Sequence, residues 1–324
     1  MRRASVDAGS ADDGARLDQV VARLAGGVSV HAARRLIADG RVRLDGRRAA
    51  LGKKGQRVAA GQTIEIDDDA IGAAADARAP GAPAGAAGMA PVAEPEAPLV
   101  VLYQDADLVA IDKPAGISCH PLRAGEIGTV ANALVARFPE CARAGGDPRE
   151  GGLGHRLDRD TSGVLLAARS HAAWLALRAA LKQPDCEKSY LAEVMGRPEP
   201  RGRMDAPIGR SGRRGRRVRI GEGRNPLPAV TEWEVLDPRG GTTLVRARLH
   251  AGRAHQVRAH LAAAGHPIAG DAVYGGAEAL AAARALGATS LRLFAESVRL
   301  AHPTSGAPLL IAAPAPEWGK IRAA

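Results

Sequence analysis

His155-Arg156-Leu157-Asp158-Arg159-Asp160-Thr161-Ser162-Gly163 runs directly into the apolar stretch Val164-Leu165-Leu166-Ala167-Ala168. Ionisable and hydrogen-bonding side chains crowded against a buried strand predict a loop held on a rigid scaffold, the usual setting of an active site. Part of the loop also reads as turn chemistry: Asp160 as an Asx cap, Thr161-Ser162-Gly163 as a turn. A nucleophile triad of His155, Asp158 and Ser162 is a further reading, but no strained elbow presents Ser162. His155 reads as a structural hydrogen-bonding group.

Upstream of this loop, Leu99 to Tyr103 and Leu108 to Ile111 read as strands joined by an Asp-Ala-Asp turn. Downstream, Ser170 is placed to cap a helix carrying Trp174, Leu177 and Leu181 on one face. Tyr190, Ala192 and Val194 alternate on another strand. Val245, Ala247 and Leu249 face one way on the next, with Arg246 and Arg248 opposite. Val257, Leu261 and Ala264 mark a short helix stopped by Gly265, with Pro267 behind it. Strands and helices mix without regular βαβ alternation, so the expected class is α+β, not a doubly wound sheet.

The second polar cluster is Gly252-Arg253-Ala254-His255-Gln256-Val257-Arg258-Ala259-His260-Leu261. Its two histidines lie on different faces of a helix and lack the spacing of a helical zinc pair, so no metal is expected. Arg258 reads either as a surface charge or as the partner of a carboxylate from elsewhere. Arg210 to Arg219, with Arg213, Arg214, Arg216 and Arg217, reads either as a solvated charged loop or as a nucleic-acid backbone contact.

Toward the N-terminus, Leu17, Val20, Val21 and Leu24 fall at helical spacing and Gly26-Gly27 ends the run. Ser29 then caps a helix with Ala33, Leu36 and Ile37, stopped by Gly40. Val42 and Leu44 alternate up to the hairpin dipeptide Asp45-Gly46, and Val58, Ile64 and Ile66 complete small strands. Arg16, Arg23, Arg34, Arg35, Arg41 and Arg43 interleave with these apolar positions. Periodicity alone leaves two readings, a solvated face or a phosphate-backbone binder. Residues 70–98 are almost all Ala, Gly and Pro and read as a flexible tether. The expected domains are 11–69, the linker 70–98, and a larger domain at 99–324.

The 324 residues carry a net charge of +10, which favours a polyanionic partner. Ala, Gly, Arg and Pro are abundant and aromatics only 2%, as GC-rich codon usage would give, so the placement of arginines weighs more than their number. Three scattered cysteines form no Cys-x-x-Cys pair, which argues against a disulfide framework or zinc ribbon. The start lacks the apolar core of a signal peptide and no apolar run is long enough to span a bilayer. A cytoplasmic monomer without membrane contact is the expectation.

Five ordered segments of the larger domain resemble the RluA-type pseudouridine synthases. They are Asp107 to Gly116 with His120-Pro121, His155-Arg156-Leu157-Asp158-x-x-Thr161-Ser162-Gly163, Lys188-Ser189-Tyr190, Gly252 to Leu261, and Gly265 to Tyr274. Arg16-Leu17-Asp18 and Ala33 to Val42 resemble the S4 RNA-binding domain. The resemblance implies a small S4-like α/β module before a catalytic domain whose mixed, mainly antiparallel sheet is flanked by helices and loops. It implies isomerisation of uridine in structured RNA without a cofactor. Ribosomal RNA of the large subunit (23S) is the implied target, and transfer RNA an open alternative.

By the same resemblance Asp158 is the catalytic aspartate, Tyr190 stacks on the target uracil and Arg258 pairs with the Asp158 carboxylate. Arg156 fills the gap left by the extruded nucleotide, and Arg16, Arg34, Arg35 and Arg41 contact RNA from the S4 module. Tyr190 also has a plain reading as a strand aromatic in the core. Ala254, where the family usually has Thr, and Phe294, where His is common, depart from the pattern. The competing reading is an S4-containing ribosome assembly factor with a relict catalytic domain, against which the intact trio of Asp158, Tyr190 and Arg258 argues.

Overall fold

A computed structural model describes residues 2–5, 12–25, 30–49, 56–67, 90–211, 217–250, 252–288 and 290–322. The chain divides into two compact units, Met1–Ala87 and Gly88–Ala324.

In the first unit β1 (Arg2–Ser5), α1 (Leu17–Leu24), α2 (Val30–Ala38), β2 (Val42–Leu44), β3 (Arg47–Arg48) and β4 (Thr63–Ile66) follow in order. The strands form one sheet in the order β1-β4-β2-β3. Leu17, Val20, Val21, Ile37, Val42, Ile64 and Ile66 are all buried in one cluster, as their spacing predicts. Gly40 adopts φ +71°, the left-handed stop expected after α2. Gly26-Gly27 and the Ser29 cap lie outside the described residues. The expected start at residue 11 is corrected, because Arg2–Ser5 pairs antiparallel with β4. Four residues reading Arg-Arg-Ala-Ser carry no apolar alternation that would announce a strand.

The second unit contains β5 (Val100–Gln104), β6 (Leu108–Lys113), α3 (Val130–Arg137), β7 (Ser162–Ala168), α4 (His171–Ala180) and β8 (Glu187–Met195). There follow β9 (Arg201–Asp205), β10 (Ile208–Ser211), β11 (Arg217–Ile220), β12 (Arg224–Leu227), β13 (Val230–Arg239) and β14 (Thr242–Leu249). The last elements are α5 (Gln256–Ala263), α6 (Gly276–Ala285), β15 (Leu293–Ala301) and β16 (Pro308–Ala312). The main sheet runs β5-β6-β7-β15-β8-β14-β13-β9, with β16 beside β15. Among the described residues every strand pair is antiparallel except β7 with β15. The class is α+β, as expected.

Val164 to Ala168 are fully buried, because β7 is covered on both faces. Each such Leu or Val contributes roughly 1.5–3 kcal/mol by leaving water. Where β7 meets β15, Gly163 pairs with Ala295 at φ +107°, and a Cβ there would lie 2.2 Å from the Ala295 carbonyl oxygen. Only glycine permits that approach. Ser170 caps α4, its Oγ accepting from Ala173 N at 3.1 Å.

The composition-based tether is corrected at its end. Asn132 Nδ2 donates to Val92 O at 2.7 Å, and Gly128 N donates to the Glu94 carboxylate at 2.6 Å, so 90–98 is fastened to the start of α3. Ala/Pro content misses this because the bonds use main chain and one acidic side chain. Residues 70–89 of the expected linker lie outside the described ones. The basic stretch 210–219 is not wholly loop: its flanks form the antiparallel pair β10–β11, while Arg213, Arg214 and Arg216 lie outside the described residues.

Candidate active site

The loop before β7 is fixed on both sides of Asp158. Leu157 is buried, and its main chain bonds the Cys119 thiol in both directions, Sγ to Leu157 O at 3.2 Å and Leu157 N to Sγ at 3.3 Å. Thr161 N donates to Asp158 O at 3.2 Å. Lys113, fully buried at the end of β6, donates through Nζ to the carbonyls of Pro114, Arg159 and Thr161 at 2.9, 2.8 and 2.8 Å. Three carbonyls satisfy all three donors of the ammonium. Burial still pushes its pKa below the ordinary lysine value, against the pull of nearby acidic groups. The turn carrying Asp158 is thus held by side chains from a different strand and loop.

Arg258 approaches from α5. Gln256 Nε2 donates to Val230 O at 2.8 Å, and His260 sits between Thr231 Oγ1 at 2.9 Å and Ala206 O at 3.1 Å. Val257 and Leu261 pack in the core beside β8 and β14. On this anchored helix the Arg258 guanidinium spans two carboxylates. Nη1 donates to Asp158 Oδ2 at 2.6 Å, while Nε and Nη2 grip Asp271 Oδ2 and Oδ1 at 2.8 and 2.9 Å. Asp271 Oδ1 also accepts from Val273 N at 2.9 Å and Tyr274 N at 3.1 Å. Burial of Asp271 opposes its ionisation, but Arg258 and these two amides outweigh it and hold the carboxyl below the usual range. Arg258 is itself raised above its ordinary value, the two carboxylates outweighing its burial.

The Asp158 side chain is 25% exposed, and among the described residues its Oδ1 accepts no hydrogen bond. His255 Nε2 is 3.7 Å from that oxygen. Tyr190, on β8 between Ala247 of β14 and Ala295 of β15, is half-buried and within electrostatic reach of the Asp158 carboxylate. Burial first, and then the charge of Asp158, pushes its phenol up. Arg156 is exposed and makes no hydrogen bond or ion pair among the described residues. The arrangement is a fixed carboxylate with one oxygen gripped and one open, an aromatic at its side and a free guanidinium two residues before it.

His155 takes the structural part expected of it: its Nε2 accepts from Leu166 N at 3.1 Å. Burial, then Lys188 and Arg178, push it from 6.5 down to about 3. Between those values the unfolded chain holds the proton and the folded chain does not, so stability falls as pH drops through that window. His155→Gln is expected to remove about one proton from the pH dependence of unfolding there, measured by denaturant melts. An unchanged slope would show that His155 titrates normally in the fold.

The remaining expected site residues scatter by role. Arg16 and Arg34 both bind buried Asp18, Arg16 Nη2 and Arg34 Nε each 2.7 Å from Oδ2. The Arg16 hydrogen bond is the main reason the Asp18 carboxyl lies below its ordinary value. Arg41 pairs with Asp67 at 3.0 Å, and Arg35 lies on α2 with its side chain outside the described part. Arg217 donates to Val273 O and lies 5.6 Å from the Tyr274 ring centre, so it touches the site instead of standing apart. Phe294 is buried in the core and Ala254 is exposed, neither bearing on the carboxylate. Sequence reasoning gave no role to Asp271, Lys113, Cys119 or Tyr274, although Lys113, Asp271 and Tyr274 lie in the segments 107–116 and 265–274 that carry the resemblance. The need of a buried Arg258 for a second counter-charge was the available signal for Asp271.

The RNA pseudouridylate synthase family matches residues 107–263, and the S4 domain matches residues 15–64. The chain is 36% identical to ribosomal large subunit pseudouridine synthase D of Xanthomonas campestris pv. campestris over 68% of its length and 67% of that relative. It is 32% identical to the protein of that name from Vibrio vulnificus, over 94% of this chain and 88% of the relative. The solved structure of human RNA pseudouridylate synthase domain containing 1 superposes with a TM-score of 0.54 at 28% identity, covering 69% of this chain and 86% of that one. With both modules matched in order and the aspartate–arginine site lying within the larger match, the chain belongs to the RluA-type RNA pseudouridine synthases that carry an S4 domain.

Proposed function

We propose that the chain isomerises specific uridines of structured ribosomal RNA, in the 23S molecule, with Asp158 as the reacting carboxylate. The observation that carries this is the Asp158 carboxylate itself, one oxygen held at 2.6 Å by Arg258 and the other open. The relatives named for the ribosomal large subunit, and the S4 module in front, support the choice of RNA. The reaction breaks the bond from ribose C1′ to uracil N1, turns the base and joins C1′ to C5. The base loses a proton at C5 and gains one at N1, so composition is unchanged and no redox partner is needed. A carboxylate serves this chemistry by attack at C1′, by proton removal giving a glycal, or by addition at C6.

To reach Asp158 the nucleotide leaves its stack, at a cost of about a few kcal/mol. In this reading Arg156, which is exposed, occupies the gap, and half-buried Tyr190 stacks on the flipped uracil. The domain division behind this reading is an RNA-binding S4 module within 11–69, extended by β1, and a catalytic domain from 99 onward. Tyr190→Leu is expected to slow single-turnover isomerisation about 5- to 150-fold, the ~1–3 kcal/mol of a base–aromatic stack, while Tyr190→Phe stays within a few-fold. Equal losses in Phe and Leu would assign the effect to the hydroxyl and remove the stacking role.

The test of the function is pseudouridine mapping of total RNA by carbodiimide labelling and primer extension, with and without the gene. Loss of one or a few 23S sites, restored by wild type and not by Asp158→Asn, is the expected result. An unchanged ribosomal map with sites lost from transfer RNA would overturn the ribosomal assignment; no site lost anywhere would overturn the reading whole.

A further inference from the structure

His255 has the left-handed backbone at φ +56°, shared among described non-glycine residues only by Asp45 and Asn225. Such conformations persist where the surroundings impose them, commonly at functional sites. Here the backbone aims the ring at two partners. Nδ1 is 3.0 Å from Tyr274 Oη, and Nε2 is 3.7 Å from the open oxygen of Asp158. The two rings meet edge to face, centres 5.7 Å apart at 87°. Tyr274 is fixed in turn: its hydroxyl accepts from Val218 N at 3.0 Å, and the Arg258 and Arg217 guanidiniums lie 5.4 and 5.6 Å from its ring centre.

These contacts favour one tautomer. The Tyr274 oxygen accepts a hydrogen bond from the Val218 amide, leaving its own hydroxyl to donate to His255 Nδ1. With Nδ1 accepting, the imidazole proton sits on Nε2 and faces a carboxylate oxygen. The other tautomer would set a nitrogen lone pair against that oxygen. Burial chiefly, with help from Arg258 and against Asp158 and Asp271, pushes His255 below its ordinary value, so the ring is neutral near pH 7.

We infer that His255 and Tyr274 are positioning residues for Asp158: Tyr274 orients the imidazole, and its Nε2–H fixes the oxygen that Arg258 leaves open. The inference rests on the function proposed above. A separation of 3.7 Å is longer than a hydrogen bond. Catalytic hydrogen bonds are often long in the free enzyme and tighten with substrate bound. Val218 lies on β11, next to Arg217, so the chain from amide to tyrosine to histidine begins on the basic hairpin and ends at the reacting group.

Two variants test this in the full-length protein with a uridine-containing ribosomal RNA fragment. Tyr274→Phe keeps the ring and its guanidinium contacts and removes only the hydroxyl. His255→Asn tolerates the left-handed backbone but is too short to reach Asp158. Each is expected to lower the single-turnover rate at saturating RNA, referred to folded protein, about 10- to 100-fold with RNA Kd unchanged, while Tyr274→Phe also melts somewhat lower because the Val218 amide loses its acceptor. The double variant is expected to be no slower than the slower single one, since both act through one contact. Wild-type rates in both variants, with Asp158→Asn inactive, would overturn the positioning pair and leave the proposed function standing. A loss confined to RNA affinity, or one that vanishes when rates are referred to folded protein, overturns it equally. Activity in Asp158→Asn would remove the proposed function and this inference with it.

Discussion

Asp158→Asn is expected to lower single-turnover isomerisation by on the order of 10⁴-fold or more while leaving the fold intact. The amide matches the carboxylate in volume and keeps one oxygen for Arg258 Nη1, now 2.6 Å from Oδ2. The loop around it depends on Lys113 and Cys119 bonding to main chain, which the substitution does not touch. What disappears is the negative oxygen, and every route considered for this reaction needs it, whether at C1′, at C2′ or at C6. RNA affinity is expected to stay within a few-fold, because phosphate contacts dominate such affinities and none is assigned to Asp158. Tritium release from RNA labelled at uracil C5, with filter binding alongside, measures both. A variant retaining more than about a hundredth of the wild-type rate would show that the carboxylate is not the reacting group.

That outcome depends on a site whose two halves differ in how openly the sequence displays them. The loop 155–163 is legible because its polar residues are contiguous and lead into a fully buried strand. The caps at Gly40 and Ser170 are legible for the same reason, since each is a local chemical requirement of a helix end. Lys113, Cys119 and Asp271 are not. Each acts through a contact with a segment distant in sequence, and Lys113 beside Asp112 reads as an ordinary strand-end charge until its burial is known. Arg16 and Arg34 mislead in the opposite sense. Helical spacing puts them on an outer face, yet buried Asp18 takes a hydrogen bond from each and their charge is partly spent inside the module. Periodicity reports which way a side chain leaves the backbone, not what meets it there.

Asp271→Asn is the second large effect, and it separates architecture from chemistry. Asp271 is buried, and its two oxygens take two bonds from Arg258 and two from main-chain amides. The amide side chain turns a donor toward the Arg258 guanidinium and leaves a buried cation short of one counter-charge, at a cost of about 3–5 kcal/mol. For a unit of this size that lowers the melting temperature by roughly 10 °C. The released guanidinium also ceases to hold Asp158, and a misplacement of ~1 Å is expected to lower the rate about 100-fold. The wild-type carboxyl, held below the usual range, contributes its stability above the ordinary carboxylate pKa and loses it as pH falls. The melting difference between wild type and variant should therefore shrink on acidification. Replacing both members, Arg258→Met with Asp271→Leu, is expected to recover part of the lost melting temperature and none of the activity, because an apolar pair of similar volume matches the buried ion pair in stability while the Val273 and Tyr274 amides lose their acceptor. If Asp271→Asn melts with wild type, Arg258 is held by something other than this carboxylate. If the double variant stays as unstable as the single one, the cost lies in the Val273 and Tyr274 amides that lose Asp271, not in an uncompensated Arg258 charge.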